Sequence, residues 1–332
     1  MSHIVAPGGS PLSFAVVGCE RLEESLAFYT DVIGFDAGKV EGWTADLLAA
    51  VWGLQSGSAR SCLLTACDCP VGRILLVEFA AAGRRRIHEV PASRAFGLSN
   101  LNFYTADIRE ATGRLEELGY AFWSEPTRHS LAESVGSPVE VVFDGPDGVA
   151  INLVELASTD LATRIGQMRA YVEAQGHTRS GFTPVVTSSH VVRSIARARR
   201  FYERVLGMGV LIDDEMTADR VNAFLRLPAG ARTRITFMQG GHMFGKVVLS
   251  EPLNYVEQCV DLETVARAPN IGYLAQAFEV ADPDAARAAC REVGADVLME
   301  PEELPIPGIG LRRQFLSRNP GSGALQWILQ RA

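Results

Sequence analysis

The chain has 332 residues, of which 47% are hydrophobic and 21% charged, as is typical of a globular protein with two domains. This balance excludes a disordered chain, a collagen and a coiled coil. The net charge of −8 disfavours nucleic acid as a partner, and no apolar stretch reaches the roughly 18 residues that a membrane span requires.

The first half of the chain predicts two successive groups of one helix and several strands. Residues 14–17 are a short apolar strand, and residues 23–33 have the apolar spacing of a helix. Two further strands are predicted at residues 61–65 and 73–79. The succession then restarts, with a strand at 98–105, a helix at 107–118, an extended segment at 120–123 and strands at 139–143 and 149–156.

The second half of the chain predicts the same order of elements. Residues 157–175 have helical spacing, which indicates a connecting helix between the halves rather than a loose linker. The elements that follow are strands at 185–192, 234–238, 246–250, 273–280, 296–299, 311–316 and 324–329, and helices at 196–206 and 282–293.

A tandem repeat accounts for this order. The pair Phe-Tyr at residues 28–29 recurs at residues 201–202, and 201 − 28 gives an offset of 173 residues. The same ungapped offset carries Thr-Ala-Asp at residues 44–46 onto residues 217–219. We therefore expect an α+β fold with four βαβββ modules. The expected division is a first domain at 1–157 (modules at about 12–80 and 97–157), a connecting helix and linker at 158–183, and a second domain at 184–332 (modules at about 184–252 and 270–332).

Two helix motifs and two strand endings resemble the vicinal oxygen chelate superfamily. The motifs are LEESLAFYTDVIGF (22–35) and IARARRFYERVLGM (195–208), and the endings are DGPDGVAINLVEL (144–156) and NPGSGALQWILQ (319–330). This superfamily includes glyoxalase I, bleomycin resistance proteins and extradiol dioxygenases. Four modules in one chain resemble the tandem arrangement of the extradiol dioxygenases. The resemblance implies modules paired into two cup-shaped domains, in which curled sheets enclose a ligand and a divalent metal ion.

The resemblance also implies metal ligands on the first and last strands of each module. Not one of the eight positions found by counting from the helix motifs and final turns holds His, Asp or Glu. Neutral amides are inadequate as the whole shell of a divalent ion, so we expect neither a metal nor another cofactor. The eight positions are Phe14, Leu75, Asn100, Asn152, Thr187, Val248, Ala275 and Gln326.

Polar side chains at cup-facing positions are the candidate substrate-binding residues. Asn100, Asn102 and Tyr104 alternate along one strand and therefore share a face. Amides and a phenol can orient a carbonyl or hydroxyl compound, although the two strand amides could instead satisfy buried backbone groups. The remaining candidates are Asn152 in the first half and Thr187, Ser189 and Gln326 in the second.

The sequence assigns no catalytic residue, and it leaves Tyr104, His190 and Glu279 as candidates. Glu279 is a general base if burial raises its pKa, or else a member of a salt bridge at the rim of the cup. His190 lies three residues after Thr187, so alternation turns it away from the cup and favours a structural or rim histidine. A β-bulge would turn it inward.

Three functions remain open at this point. The leading one is a small-molecule enzyme acting on an apolar or aromatic oxygenated compound by a lyase, isomerase or ring-modifying step, without the usual metal site. The alternatives are a metal-free protein that sequesters a hydrophobic drug or metabolite, and an extradiol-type dioxygenase with atypical ligands. The expected partner is a small-molecule ligand, with a homodimer as a further possibility. Six scattered cysteines and the absence of a signal-peptide pattern favour a cytoplasmic protein.

Overall fold

Helices and strands alternate along the chain in the computed structural model, which describes residues 4–129 and 134–332. The first half contains two modules. Module 1 consists of β1 (Leu12–Cys19), α1 (Leu22–Ala27), β2 (Asp36–Ala37), β3 (Glu41–Trp43), α2 (Ala45–Trp52), β4 (Ser58–Ala66) and β5 (Cys69–Ala80). Module 2 consists of β6 (Ala95–Thr105), α3 (Ile108–Glu117), β7 (Thr127–Arg128), β8 (Val139–Asp144) and β9 (Ala150–Glu155).

The connecting helix α4 (Arg164–Gln175) leads into the second half, which repeats this order. Module 3 consists of β10 (Thr187–Val191), α5 (Ile195–Arg204), β11 (Gly209–Met216), α6 (Asp219–Phe224), β12 (Thr233–Gln239) and β13 (Lys246–Pro252). A short strand β14 (Val260–Asp261) precedes module 4, which consists of β15 (Gly272–Val280), α7 (Pro283–Glu292), β16 (Asp296–Ile306), β17 (Gly310–Arg318) and β18 (Leu325–Gln330). Within the described ranges, every helix is too short or too polar to cross a lipid bilayer.

The helices of the four modules begin where acidic or hydroxyl side chains accept hydrogen bonds from first-turn amides. The Asp107 carboxylate accepts from the backbone N–H groups of Arg109 and Glu110 at 2.8 and 3.0 Å. Glu78 and Glu251, which are equivalent in the repeat, accept from the first amides of α1 and α5 at 2.9 and 2.8 Å. These acceptors stabilise otherwise unpaired amides and the positive end of the helix dipole.

Two short helices, α2 and α6, are absent from the sequence predictions. They begin at the Thr-Ala-Asp repeat, and the Thr44 hydroxyl accepts a hydrogen bond from the Leu47 backbone amide at 3.3 Å as the N-cap of α2. The 173-residue offset relates the two segments, and Thr44 at the N-cap position is the local signal that indicates a helix. Their importance is that each one lies over a different sheet.

Each of the two large sheets combines a module from each half of the chain. The first sheet has the order β16-β17-β18-β15-β1-β5-β4-β2, and the second has the order β11-β12-β13-β10-β6-β9-β8-β7. The joins between modules are antiparallel and pair β1 with β15 and β6 with β10. The prediction of an α+β fold with four modules paired into two curled sheets is therefore confirmed.

The pairing of modules corrects the expected grouping into domains. Residues 1–157 and 184–332 each contain two modules, but the two modules of one half do not share a sheet. Module 1 pairs with module 4, and module 2 pairs with module 3. The repeat could not reveal this, because the first strands of all modules have similar patterns and either arrangement satisfies their backbone hydrogen bonds.

The main core lies on the sheet faces that pack against the helices. Aromatic side chains of the two helix motifs, Phe28, Tyr29, Phe201 and Tyr202, are buried there together with apolar residues of all four modules. The repeated Phe-Tyr pair is thus a core feature. The opposite faces of the two sheets are the cups, and their contents differ.

Candidate functional site

The cup of modules 1 and 4 is filled by aromatic side chains, and we call it the closed cup. Trp327 on β18 is fully buried, and its ring lies 5.5 Å from the ring of Trp52 and 6.4 Å from that of Trp43. Phe14 packs edge-on against Trp327 at 5.8 Å. Trp52 comes from α2, so this helix closes the cup by adding an apolar plug to the sheet.

The cup of modules 2 and 3 contains a cavity, and we call it the open cup. The cavity is about 270 Å³, and a second cavity of about 120 Å³ adjoins it. At the positions of Phe14 and Trp327, the open cup has the smaller Thr187 and Asn152. The residues that line both cavities are Asn102, Glu140, Ile212 and Phe237.

A row of polar side chains crosses the floor of the open cup. The Asn100 amide donates to the Asn102 side-chain oxygen, and the Ser99 hydroxyl donates to the Asn100 oxygen at 3.0 Å. The Asn152 amide donates to a Glu140 carboxylate oxygen at 2.7 Å. The Asn152 side-chain oxygen is buried without a partner among the described residues, so it can accept a hydrogen bond from a ligand.

Glu140 and His129 are cavity residues that the sequence reasoning missed. Glu140 lies on β8, where alternation places it on the same face as Val142, and this alternation was a signal that could have identified it. His129 is buried in a loop, and its ring lies 4.9 Å from that of Phe224. Its Nε2 atom has no partner among the described residues. The local sequence around His129 gave no signal, because only tertiary packing brings this loop to the cavity.

The remaining walls of the larger cavity combine apolar side chains with charged residues, namely Asp214, Glu215 and Arg220. Helix α6 contributes Val221 and Phe224, and strands β12 and β13 contribute Ile235, Phe237 and Val248. Where α2 fills the closed cup, α6 instead forms one side of a cavity. A cleft lined by apolar side chains together with a few polar groups is the usual form of a small-molecule site.

The structure brings together most of the predicted substrate-binding residues. Asn100, Asn102, Asn152 and Ser189 line the larger cavity, and Asn102, Tyr104 and Thr187 line the smaller one. The sequence alone predicts that the candidates of the first half and those of the second half lie in different cups. Because modules 2 and 3 share a sheet, all of them face the same one.

The prediction for Gln326 is wrong in register. Strand β18 pairs with β15 so that Trp327 lies beside Ala277 and Gln326 lies beside Gln276. Trp327 therefore faces the closed cup, and Gln326 is buried on the opposite face of the sheet. A shift of one residue along a strand reverses every side chain, and counting from the final turn had introduced such a shift.

His190 does not line either cavity. It is fully buried on the helix-facing side of β10, with Nδ1 3.1 Å from the Tyr202 hydroxyl and Nε2 hydrogen-bonded to Ser322. Burial lowers the pKa of His190 to about 3, so the ring stays neutral. Tyr202 in turn donates to Gln276 of the other sheet at 2.7 Å. His190 thus belongs to a buried network that joins the two sheets and is not positioned for catalysis in a cup.

Glu279 also lies outside the open cup. Its carboxylate forms an ion pair with Arg73 at 2.8 Å and accepts a hydrogen bond from the Ser13 hydroxyl at 2.8 Å. Both charged side chains are only partly buried, which corresponds to the alternative of a rim salt bridge.

The donors in the open cup do not fit the divalent metal that the resemblance implies. The corresponding positions are Asn100, Asn152, Thr187 and Val248, which provide neutral oxygens or no donor. Among residues 4–129 and 134–332, no three His, Cys, Asp or Glu side chains converge as a metal site would require. Glu140 is a carboxylate next to Asn152, but one carboxylate with amides is a poor set for a transition metal.

Comparisons with known proteins agree with this architecture. Residues 12–153 match the family model of the Glyoxalase/Bleomycin resistance protein/Dioxygenase superfamily. Glyoxalase I from Zea mays is 16% identical, with a TM-score of 0.60 over 97% of this chain and 92% of that one. A proposed dioxygenase from Bacillus subtilis is 12% identical, with a TM-score of 0.54 over 98% of this chain and 86% of that one.

A comparison with curated protein sequences gave no match. At these identities the similarity to solved structures establishes the fold and not the reaction. The family model and the fold nevertheless agree with the helix motifs and strand endings of the sequence. Residues 12–153 thus match the Glyoxalase/Bleomycin resistance protein/Dioxygenase superfamily, and the chain as a whole has the tandem, four-module fold that these solved structures share.

Proposed function

We propose that the protein is an enzyme that converts an apolar or aromatic oxygenated small molecule in the open cup, without the usual metal site. The observation that carries this proposal is the difference between the cups. Equivalent positions hold Phe14 and Trp327 in the closed cup but Thr187 and Asn152 in the open one, which also contains a cavity of about 270 Å³. A cavity of this size accepts a compound of roughly one or two rings.

The polar groups support a ligand that bears a carbonyl or hydroxyl group. The free Asn152 oxygen accepts from a hydroxyl, and the Asn100 and Asn102 amides can donate to a carbonyl. The apolar side chains of Val221, Phe224 and Ile235 can pack against the hydrocarbon part of such a ligand. Asn100, Asn102, Tyr104, Asn152, Thr187 and Ser189 therefore remain our substrate-binding residues.

Glu140 is the group best placed to move a proton. Its carboxylate faces both cavities and is held at 2.7 Å by the Asn152 amide. A carboxylate fixed beside a bound carbonyl compound can act as a general base for a proton next to the carbonyl, as a lyase or isomerase step requires. Glu140 replaces His190 and Glu279 as our catalytic candidate.

A second function, sequestration of a hydrophobic drug or metabolite, is favoured by the lack of imidazole and carboxylate donors at the implied metal positions. The two functions predict the same binding site but differ in turnover. Incubation of the protein with catechols, 2-oxo aldehydes and acyl-CoA esters separates them. An enzyme converts at least one of these, and Glu140→Gln lowers the rate while ligand binding persists. Binding without conversion of any compound favours sequestration.

The location of the site is tested by placing a tryptophan in the open cup at the position equivalent to that of Trp327 in the closed cup. Asn152→Trp places in the open cup the side chain that Trp327 provides in the closed one, because the two positions are equivalent. We expect this variant to lose binding of an apolar fluorescent dye by at least about tenfold. Asn152→Leu, which adds no ring, retains dye binding and serves as the matched control. Full dye binding by a folded Asn152→Trp protein contradicts the proposed site.

A further inference from the structure

Lys246 is a buried amine in the wall of the open cup. Its side chain lines the smaller cavity, and the residue is 3% exposed. The Nζ atom donates a hydrogen bond to the Met243 carbonyl oxygen. Among residues 4–129 and 134–332, Lys246 takes part in no ion pair, although a buried ammonium normally requires one.

Comparison with the equivalent position of the closed cup shows which ion-pair partner Lys246 lacks. Arg73 of the closed cup is equivalent to Lys246, and it forms an ion pair with Glu279 at 2.8 Å. The position of Glu279 corresponds in the open cup to Tyr104, whose ring centre lies 5.9 Å from the Lys246 Nζ atom. The closed cup thus holds a permanently charged guanidinium beside a carboxylate. The open cup holds an amine beside a neutral aromatic ring.

The other groups around the amine do not replace the missing carboxylate. His242, from the same turn, has a lowered pKa, mainly because of burial and in part because of the Lys246 charge. Glu140 lines the same cavity but forms no ion pair with Lys246, and Arg164, which also lines it, is itself a cation. Burial lowers the pKa of the Lys246 amine to about 7, so a large fraction is neutral at physiological pH. A neutral amine facing a cavity is a nucleophile.

We propose that the Lys246 amine captures an apolar aldehyde or ketone in the open cup as a covalent imine. The nitrogen lone pair attacks the carbonyl carbon and forms the C–N bond, and the oxygen takes the electron pair of the C=O bond. The two amine protons reach this oxygen, which leaves as water when the C=N bond forms. No oxidant or reductant is needed. This inference rests on the proposed function of the open cup, because the carbonyl compound is the ligand of that cup.

The chain provides an internal control for the test, because Lys39 and Lys246 are its only lysines. Lys39 is exposed, outside both cups. The protein is incubated with benzaldehyde and sodium cyanoborohydride, which reduces an imine to a stable amine, and peptide masses report the adduct at each lysine. At pH 7 we expect Lys246 to be modified at least about tenfold faster than Lys39, because an ordinary solvated lysine is almost entirely protonated at that pH.

Two variants and one independent assay make the result decisive. Lys246→Arg retains the positive charge, and Lys246→Met retains the apolar length of the side chain. Both variants are expected to lose the rapidly formed benzaldehyde adduct but to keep binding the apolar dye. Modification of Lys246 no faster than Lys39, in a protein that binds the dye, overturns the covalent proposal and leaves the open cup as the site. Failure to bind the dye refutes the proposed function instead.

Discussion

Removal of the Trp327 ring is the most direct test of the difference between the two cups. The side chain is fully buried, contacts Phe14, Trp43 and Trp52, and donates to the Gln314 side-chain oxygen at 2.8 Å. Trp327→Ala removes the packing of a large ring, which costs about 3–5 kcal/mol of unfolding free energy. It also leaves the buried Gln314 oxygen without its donor, which costs about 1–3 kcal/mol more. We therefore expect a loss of about 4–8 kcal/mol.

The assay is denaturant unfolding followed by far-UV circular dichroism, which does not depend on the fluorescence of the removed ring. Trp327→Phe is the matched control, because it keeps an aromatic ring but removes the N–H donor. We expect it to lose about 1–3 kcal/mol, mainly the cost of the unpaired Gln314 oxygen. Dye binding in the open cup should persist in both folded variants. A loss below about 1 kcal/mol for Trp327→Ala would show that the closed cup is not a tightly packed core.

Two further predictions concern the buried His190 and the N-cap of α2. The pKa of His190 is lowered to about 3 in the folded protein, against about 6.5 unfolded, so the unfolded chain binds a proton that the native state does not as the pH falls from 6.5 towards 3. The free energy of unfolding therefore decreases as the pH falls through this window. His190→Gln should reduce the slope of the unfolding free energy against pH by up to about 1.4 kcal/mol per pH unit, as measured by denaturant unfolding at several pH values. An unchanged slope contradicts a buried neutral His190. Thr44→Ala removes the N-cap of α2 and should lower the free energy of unfolding by about 1 kcal/mol in the same assay. Thr44→Ser keeps the hydroxyl and should lower it by less than half of that. Equal losses in the two variants contradict a capping role for the hydroxyl.

The sequence predicted those features of the fold that depend on neighbouring residues. The helices that begin at Asp107 and Asp282, the four modules and the shared face of Asn100, Asn102 and Tyr104 follow from local spacing. Alternation along a strand and the 3.6-residue period of a helix are properties of the backbone itself, so they survive in any arrangement of the modules. The resemblance to the superfamily rested on the same local motifs.

Tertiary structure alone decided how the modules pair and which cup is open. The pairing of β1 with β15 and of β6 with β10 joins strand edges that are far apart in sequence and have similar patterns. The same pairing brings Glu140, His129 and Lys246 to one cup, where no spacing in the chain relates them. Local sequence fixes the face on which a side chain lies, but the packing of distant elements determines whether that face meets a tryptophan or a cavity.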